Sequence, residues 1–237
     1  MSNLNIQIFQ GTSQPYPPSD INIVIDVIRA FTVSHIAFLR NAREILLVNT
    51  VEEAYSLRDK NPSYLLAGEV AGLPIANFDL DNSPHTFSLA DIKGKTLVQK
   101  TSNGVKATLL ALNAEMIFVT GFSNARNTAV HVKQITAGRN QCNINIIASH
   151  AGDDDDLACA QYIQDILLNR NQINLKDIQT RILKSRPAQK FFDPEKSEFN
   201  PEDMAFCSRE IECDFVMEVD KGAVTPRIIK KPNKVFL

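Results

Sequence analysis

Short apolar stretches alternate with helical patterns along most of this chain, and that alternation restricts the fold more than any other feature. The stretches at 21–25, 45–48, 64–67, 96–98, 116–120 and 144–148 have the length of strands. Continuous runs such as Ile23-Val24-Ile25 suit strands covered on both faces. Between them the spacing predicts helices over 27–41, 51–60, 105–113, 125–137 and 157–169, several opening on a capping residue. The expected architecture is α/β: a three-layer α/β/α arrangement around a mixed, mostly parallel sheet. With 237 residues, 44% of them hydrophobic, the chain has material for one such core over 1–237. Two interlocked α/β lobes are an alternative, but no Gly/Ser-rich linker marks a seam.

The later part of the chain is less regular. Residues 175–192 have a helical pattern interrupted at Pro187 and read as a basic surface helix with a break. A short helix over 202–209 follows, then strands at 214–219 and 223–229 joined through Asp220-Lys221-Gly222 as a hairpin. This hairpin is expected to cover a sheet edge or a subunit interface. Residues 176–237 carry no recognisable chemical motif.

Charge and composition exclude several function classes. Twenty-five Lys and Arg against 27 Asp and Glu give a formal net charge of -2, so no general field attracts nucleic acid or an anionic membrane. No apolar run approaches the roughly 20 residues of a membrane-spanning helix, and residues 1–18 lack the basic start and apolar stretch of a signal peptide. A cytoplasmic protein acting on a small molecule is the expectation. The single cysteines Cys142, Cys159, Cys207 and Cys213 form no metal or disulfide pattern and read as reduced thiols, mostly in the core.

Familiar phosphate motifs fail. No Gly-x-Gly-x-x-Gly is present, and Gly94-Lys95-Thr96 lacks the first P-loop glycine, Leu89 standing there; it reads as a turn before a strand. Asp26 ends a strand as a haloacid-dehalogenase nucleophile would, but the acid required two residues later is Ile28. No cysteine has the Arg six positions on that a cysteine phosphatase needs.

Polar residues instead gather at the predicted strand ends, where α/β sheets bind ligands. Asp26 and Arg29 lie three apart after the first strand, positioned to hold a cation and an oxyanion, or to form a cap and an ion pair within one helix. Glu69, Asp79 and Asp81 place hard oxygen ligands on connecting segments, although Asx turns account for such acids as well. Thr101-Ser102-Asn103-Gly104, with Lys100 beside it, opens a helix as an anion cradle would, and Gly121-Phe122-Ser123-Asn124 repeats the theme; ordinary capping explains the same residues. Asp153 to Asp156 follow Ser149-His150, and four adjacent carboxylates call for a cation, a retained proton or free solvation. His85 and His150 lie beside these clusters as candidate proton shuttles, whereas His35 and His131 sit inside helices.

Taken in order, these segments resemble the 2-phosphosulfolactate phosphatase family, the Mg²⁺-dependent phosphatases of coenzyme M biosynthesis. The likeness spans residues 22–168 and rests on Ile25-Asp26-Val27-Ile28-Arg29-Ala30, Ala67-Gly68-Glu69, Phe78-Asp79-Leu80, Asn82-Ser83-Pro84, Thr101-Ser102-Asn103-Gly104 and Ser123-Asn124-Ala125. Asp155-Asp156 and Cys159-Ala160 match a further pair of motifs. The chain departs from the pattern at Phe31, Asn77, Asp81, Ser102 and Gln161. The resemblance implies hydrolysis of a small acidic phosphate monoester. It assigns catalysis to Asp26, Arg29 and Asn103, substrate contacts to Asn82, Ser83, Thr101, Gly104 and Asn124, and Mg²⁺ to several of Asp26, Glu69, Asp79 and Asp156. Asp26 as a covalent nucleophile is the mechanistic alternative. The rival function is a homologue that binds an organophosphate or sulfonate without turnover. A homodimer is the default assembly.

Overall fold

The computed structural model describes residues 3–12 and 15–233. Ten strands form one sheet: β1 (Asn3–Gln10), β2 (Ile21–Ile25), β3 (Glu44–Leu47), β4 (Leu65–Val70), β5 (Leu73–Pro74), β6 (Thr96–Lys100), β7 (Met116–Thr120), β8 (Gln141–Ala148), β9 (Phe215–Asp220) and β10 (Arg227–Pro232). The helices are α1 (Ala30–Leu39), α2 (Val51–Lys60), α3 (Pro84–Leu89), α4 (Gly104–Leu110), α5 (Ala125–Ile135), α6 (Asp154–Leu167), α7 (Leu175–Lys184), α8 (Arg186–Gln189) and α9 (Glu202–Cys207). The expected α/β architecture with a mixed, mostly parallel sheet is what forms.

The strand order is β1-β8-β2-β7-β9-β10-β3-β6-β4-β5. Two parallel blocks, β1-β8-β2-β7 and β3-β6-β4, are joined by the antiparallel pair β9 and β10. The hairpin therefore covers no edge, contrary to the sequence expectation: it is the centre of the sheet. The continuous apolar start of β9, Phe215-Val216-Met217, is buried on both faces, as a central strand requires.

Alternation along the strands sorts the core into layers. Val24, Val119, Met217, Ile228, Ile45, Leu97 and Ala67 point to one face, where they pack with Phe31, Val33, Ile36 and Phe38 of α1. Five strands of the two blocks and both strands of the hairpin thus contribute to the core that holds α1. On the opposite face Ile21, Ile23 and Phe118 meet α5, α6 and α7, while Leu46, Leu66 and Val98 meet α2.

Element ends follow local chemistry. Thr50 and Glu53 form a reciprocal capping box that starts α2 at the expected residue. α1 begins three residues later than predicted because the Val27 amide donates to Asp156 at 2.7 Å and Asp26 Oδ1 caps the Ala30 amide at 2.8 Å. The break expected at Pro187 occurs at Ser185, which ends α7 and caps α8, with Pro187 in the first turn. Gly94 lies in a turn before β6, as read from its neighbours. Strand β1 was not anticipated; its half-buried Leu4, Ile6 and Ile8 alternate with exposed Asn5 and Gln7, the pattern of an edge strand. Among the described residues no helix is long and apolar enough to cross a membrane.

Candidate active site

The carboxyl ends of β2, β4, β6 and β8 come from both parallel blocks, yet they open into one cavity of about 440 Å³. Gln99 of β6 ties the second block to the first residues of α1 by bonding Ser34 Oγ and the Ala30 carbonyl.

One wall of the cavity is acidic. Asp26, directly after β2, has Oδ1 on the Ala30 amide and Oδ2 facing Ser149 Oγ at 3.4 Å. Burial pushes its carboxyl up to about 6, with the charge of Glu69 adding and the Ala30 and Gly104 amides opposing. Burial likewise raises Asp155 to about 7, helped by the charges of Asp26 and Asp153. Asp156 is held well above the usual carboxylate range by burial and by its two acidic neighbours. Asp156 is nonetheless fully engaged, accepting from the amides of Val27 and His150 and from Ser149 Oγ. Asp155 differs: its Oδ1 is buried without a hydrogen-bond partner. Glu69 is drawn into its own loop, accepting from the amides of Ser102 and Gly72 at 2.5 Å each and from Ser102 Oγ at 3.1 Å.

A second part of the lining is cationic and aromatic, and it meets the acidic part where Arg186 pairs with Asp153. Arg29 does not pair with Asp26. Its guanidinium donates to Asp203 Oδ2 at 2.8 Å and to the Gly72 carbonyl at 3.2 Å, and it lies over the Phe191 ring at 5.0 Å. Asp203 is completely buried and also accepts from Ser83 Oγ and the His85 amide. Arg186 and Lys190 complete this part of the lining. Sequence reading missed Asp203, Arg186, Lys190 and Phe191, all within the region credited with no motif; the one signal was a run of cations interleaved with apolar residues between 181 and 192.

The structure gathers Asp26, Arg29, Glu69, Asn82, Asn103 and Asp156 on the cavity and leaves other candidates aside. Asn82 is buried with Oδ1 unpartnered. Gly104 packs directly against Asp26, where an added Cβ would stand 2.7 Å from Oδ2. Ser83 caps α3 and Thr101 caps α4 through the Val105 amide at 3.0 Å. Asn124 accepts from Thr120 Oγ1 and the Gly121 amide. Asp79 accepts from the Leu66 amide at 2.7 Å and pairs with Arg58, half-exposed and off the cavity. His150 lines the cavity with Nδ1 2.8 Å from Asp153, whereas His85 packs its ring near Phe206.

The positions that depart from the motif pattern have local explanations. Phe31 is core, Asn77 takes a positive φ of 59° that Asn tolerates, and Asp81 forms a turn to the Ser83 amide. None of these three lines the cavity, whereas Ser102 does and bonds Glu69 through its amide and hydroxyl.

Among the described residues no three His, Cys, Asp or Glu side chains converge as a metal site. Mg²⁺, however, characteristically takes one or two carboxylates and fills its remaining positions with water and phosphate oxygens. Asp26 and the unpartnered Asp155 Oδ1 supply that minimum, so the residues present fit the ion.

A family model described as 2-phosphosulpholactate phosphatase matches residues 9–222. A probable 2-phosphosulfolactate phosphatase of Bacillus subtilis is 51% identical over 223 residues, covering 94% of this chain and 97% of its own. Similarly named proteins of Caldicellulosiruptor saccharolyticus and Clostridium perfringens are 36% identical over 62% of each chain and 27% identical over 86% and 87%, respectively.

Proposed function

Because the chain belongs to the 2-phosphosulfolactate phosphatase family, we propose that it hydrolyses 2-phosphosulfolactate to sulfolactate and phosphate with Mg²⁺ as cofactor. The observation that carries the reading is that one cavity is lined both by buried carboxylates, with a spare oxygen on Asp155, and by Arg29, Arg186 and Lys190.

Asp26 and Asp155 are the residues that would hold the ion. When bound, Mg²⁺ neutralises phosphate charge and lowers the pKa of an attacking water. Asp26 is immobilised by the Ala30 amide and the close approach of Gly104, so its carboxylate needs no reorganisation. Asn103 and Asn82 present amide groups to the same cavity and orient the phosphoryl oxygens. Arg29, locked by Asp203 and Gly72, offers its remaining donors to charge developing on the transferred group. Glu69 holds the Ser102 amide and so fixes the turn that presents Asn103.

The test is phosphate release from racemic 2-phosphosulfolactate with Mg²⁺, with EDTA, and by Asp26→Asn. Turnover that requires Mg²⁺ and falls at least ~100-fold in the variant is expected. Well-folded protein that binds the compound without releasing phosphate would establish the non-catalytic alternative instead.

A further inference from the structure

Besides Arg29, two further cations line the cavity, Arg186 and Lys190. Arg29 is largely committed to Asp203, the Gly72 carbonyl and the aromatic rings. Arg186 is committed only in part, and Lys190 has no ion pair among the described residues. Both stand on the strap formed by α8 and the turn of 3-10 helix at Lys190–Phe192. Phe191 and Phe199 pack edge to face at 5.2 Å and seat that strap against Arg29. Arg186 is 75% exposed and donates Nε and Nη2 to Asp153 at 3.0 and 3.1 Å; among the described residues Nη1 has no hydrogen-bond partner. Asp153 is itself only 4% exposed and holds His150, so the fork is oriented from beneath by a fixed carboxylate. Lys190 Nζ lies 5.6 Å from the Phe199 ring centroid and has no ion pair among the described residues.

A substrate that delivers its phosphate to Asp26 and Asp155 cannot leave further anionic groups beside those acids. Carboxylate or sulfonate oxygens need a cation with planar donor geometry, which a guanidinium supplies, and a second mobile charge, which an ammonium supplies. We infer that Arg186 and Lys190 form a subsite for the oxyanionic tail of the substrate and determine which phosphoester is accepted. The inference rests on the phosphatase reading for the substrate's identity, and on the strap geometry for the subsite.

Two measurements test it on the intact protein. Calorimetry measures binding of racemic sulfolactate by the native protein, Arg186→Gln, Lys190→Gln, the double variant and Arg186→Lys. Phosphate release is compared on 2-phosphosulfolactate, 2-phospholactate and ethyl phosphate, which carry two, one and no tail anions. Each Gln variant is expected to weaken sulfolactate binding about tenfold, the double variant more, and Arg186→Lys less. The ratio of kcat/KM for 2-phosphosulfolactate over ethyl phosphate is expected to fall in parallel, through KM more than kcat. Unaltered sulfolactate binding in folded variants, no sulfolactate binding by the native protein, or an unchanged substrate ratio would overturn the subsite. Absence of turnover on all three esters, with sulfolactate binding still sensitive to the variants, would overturn the phosphatase reading and leave the subsite standing.

Discussion

Asp26, Asp155 and Asp156 are buried within Coulombic reach of one another, and such a group is costly until a cation or proton joins it. Neutralising one member should therefore help the metal-free protein and harm the loaded one. Asp155→Asn is expected to raise the melting temperature measured without Mg²⁺. It should also remove the rise of roughly 5 °C or more that saturating Mg²⁺ gives the native protein, as differential scanning fluorimetry would record. His35 has the opposite character. It is buried beside Phe215, bonded to Ser123 Oγ at 2.9 Å, and burial lowers its pKa to about 3. The unfolded chain protonates this ring below about 6.5 and the folded one does not, so the contribution is complete above that pH and is lost as pH falls toward 3. Denaturant titrations of His35→Gln between pH 4 and 6.5 should show a shallower loss of stability than the native protein, by on the order of 1 kcal/mol per pH unit. At this scale the sequence displayed the acids and amides at strand ends, because residue type and strand length are both written locally. It did not display that Asp79 spends its carboxylate on the Leu66 amide, or that the partner of Arg29 is Asp203, 174 positions away.

The entry of α4 is the element most sensitive to a single atom. Gly104 has Asp26 Oδ2 2.7 Å and Ala30 Cβ 3.0 Å from where a Cβ would stand, and both neighbours are fixed by the start of α1. Gly104→Ala is expected to cost about 1–3 kcal/mol in chemical denaturation and to lower turnover at least ~10-fold. An unperturbed variant would show that Asp26 is not held where its hydrogen bonds put it. Helices α2 and α5 were legible almost to the residue, since capping and periodicity act within a few positions. The strap was legible only as a broken helix. Pro187 announces the break, but that Arg186 and Lys190 come to line the cavity depends on Phe191 and Phe199 finding Arg29, a tertiary event.

For the molecule as a whole, β9 and β10 hold the two parallel blocks together through antiparallel pairing with β7 and β3. Amide exchange should rank the Val216 to Val219 region of β9 with β2 among the slowest. Exchange orders of magnitude faster there would mean the hairpin opens separately from the blocks. The hairpin's existence was readable from two apolar runs around a turn, but its address was not, because local alternation is the same wherever a strand pairs. Only the unbroken apolar start of β9 pointed inward.

Both blocks precede the hairpin in the chain. A ribosome making this protein must therefore release β1 through β8 before the strands that unite them exist. Until then the edges of β7 and β3 remain open, the nascent chain has two partly built halves facing each other, and α1 has no complete sheet to lie in. Synthesis supplies the parts in order and the joint last, so the cavity between the halves cannot be assembled before β9 and β10 arrive.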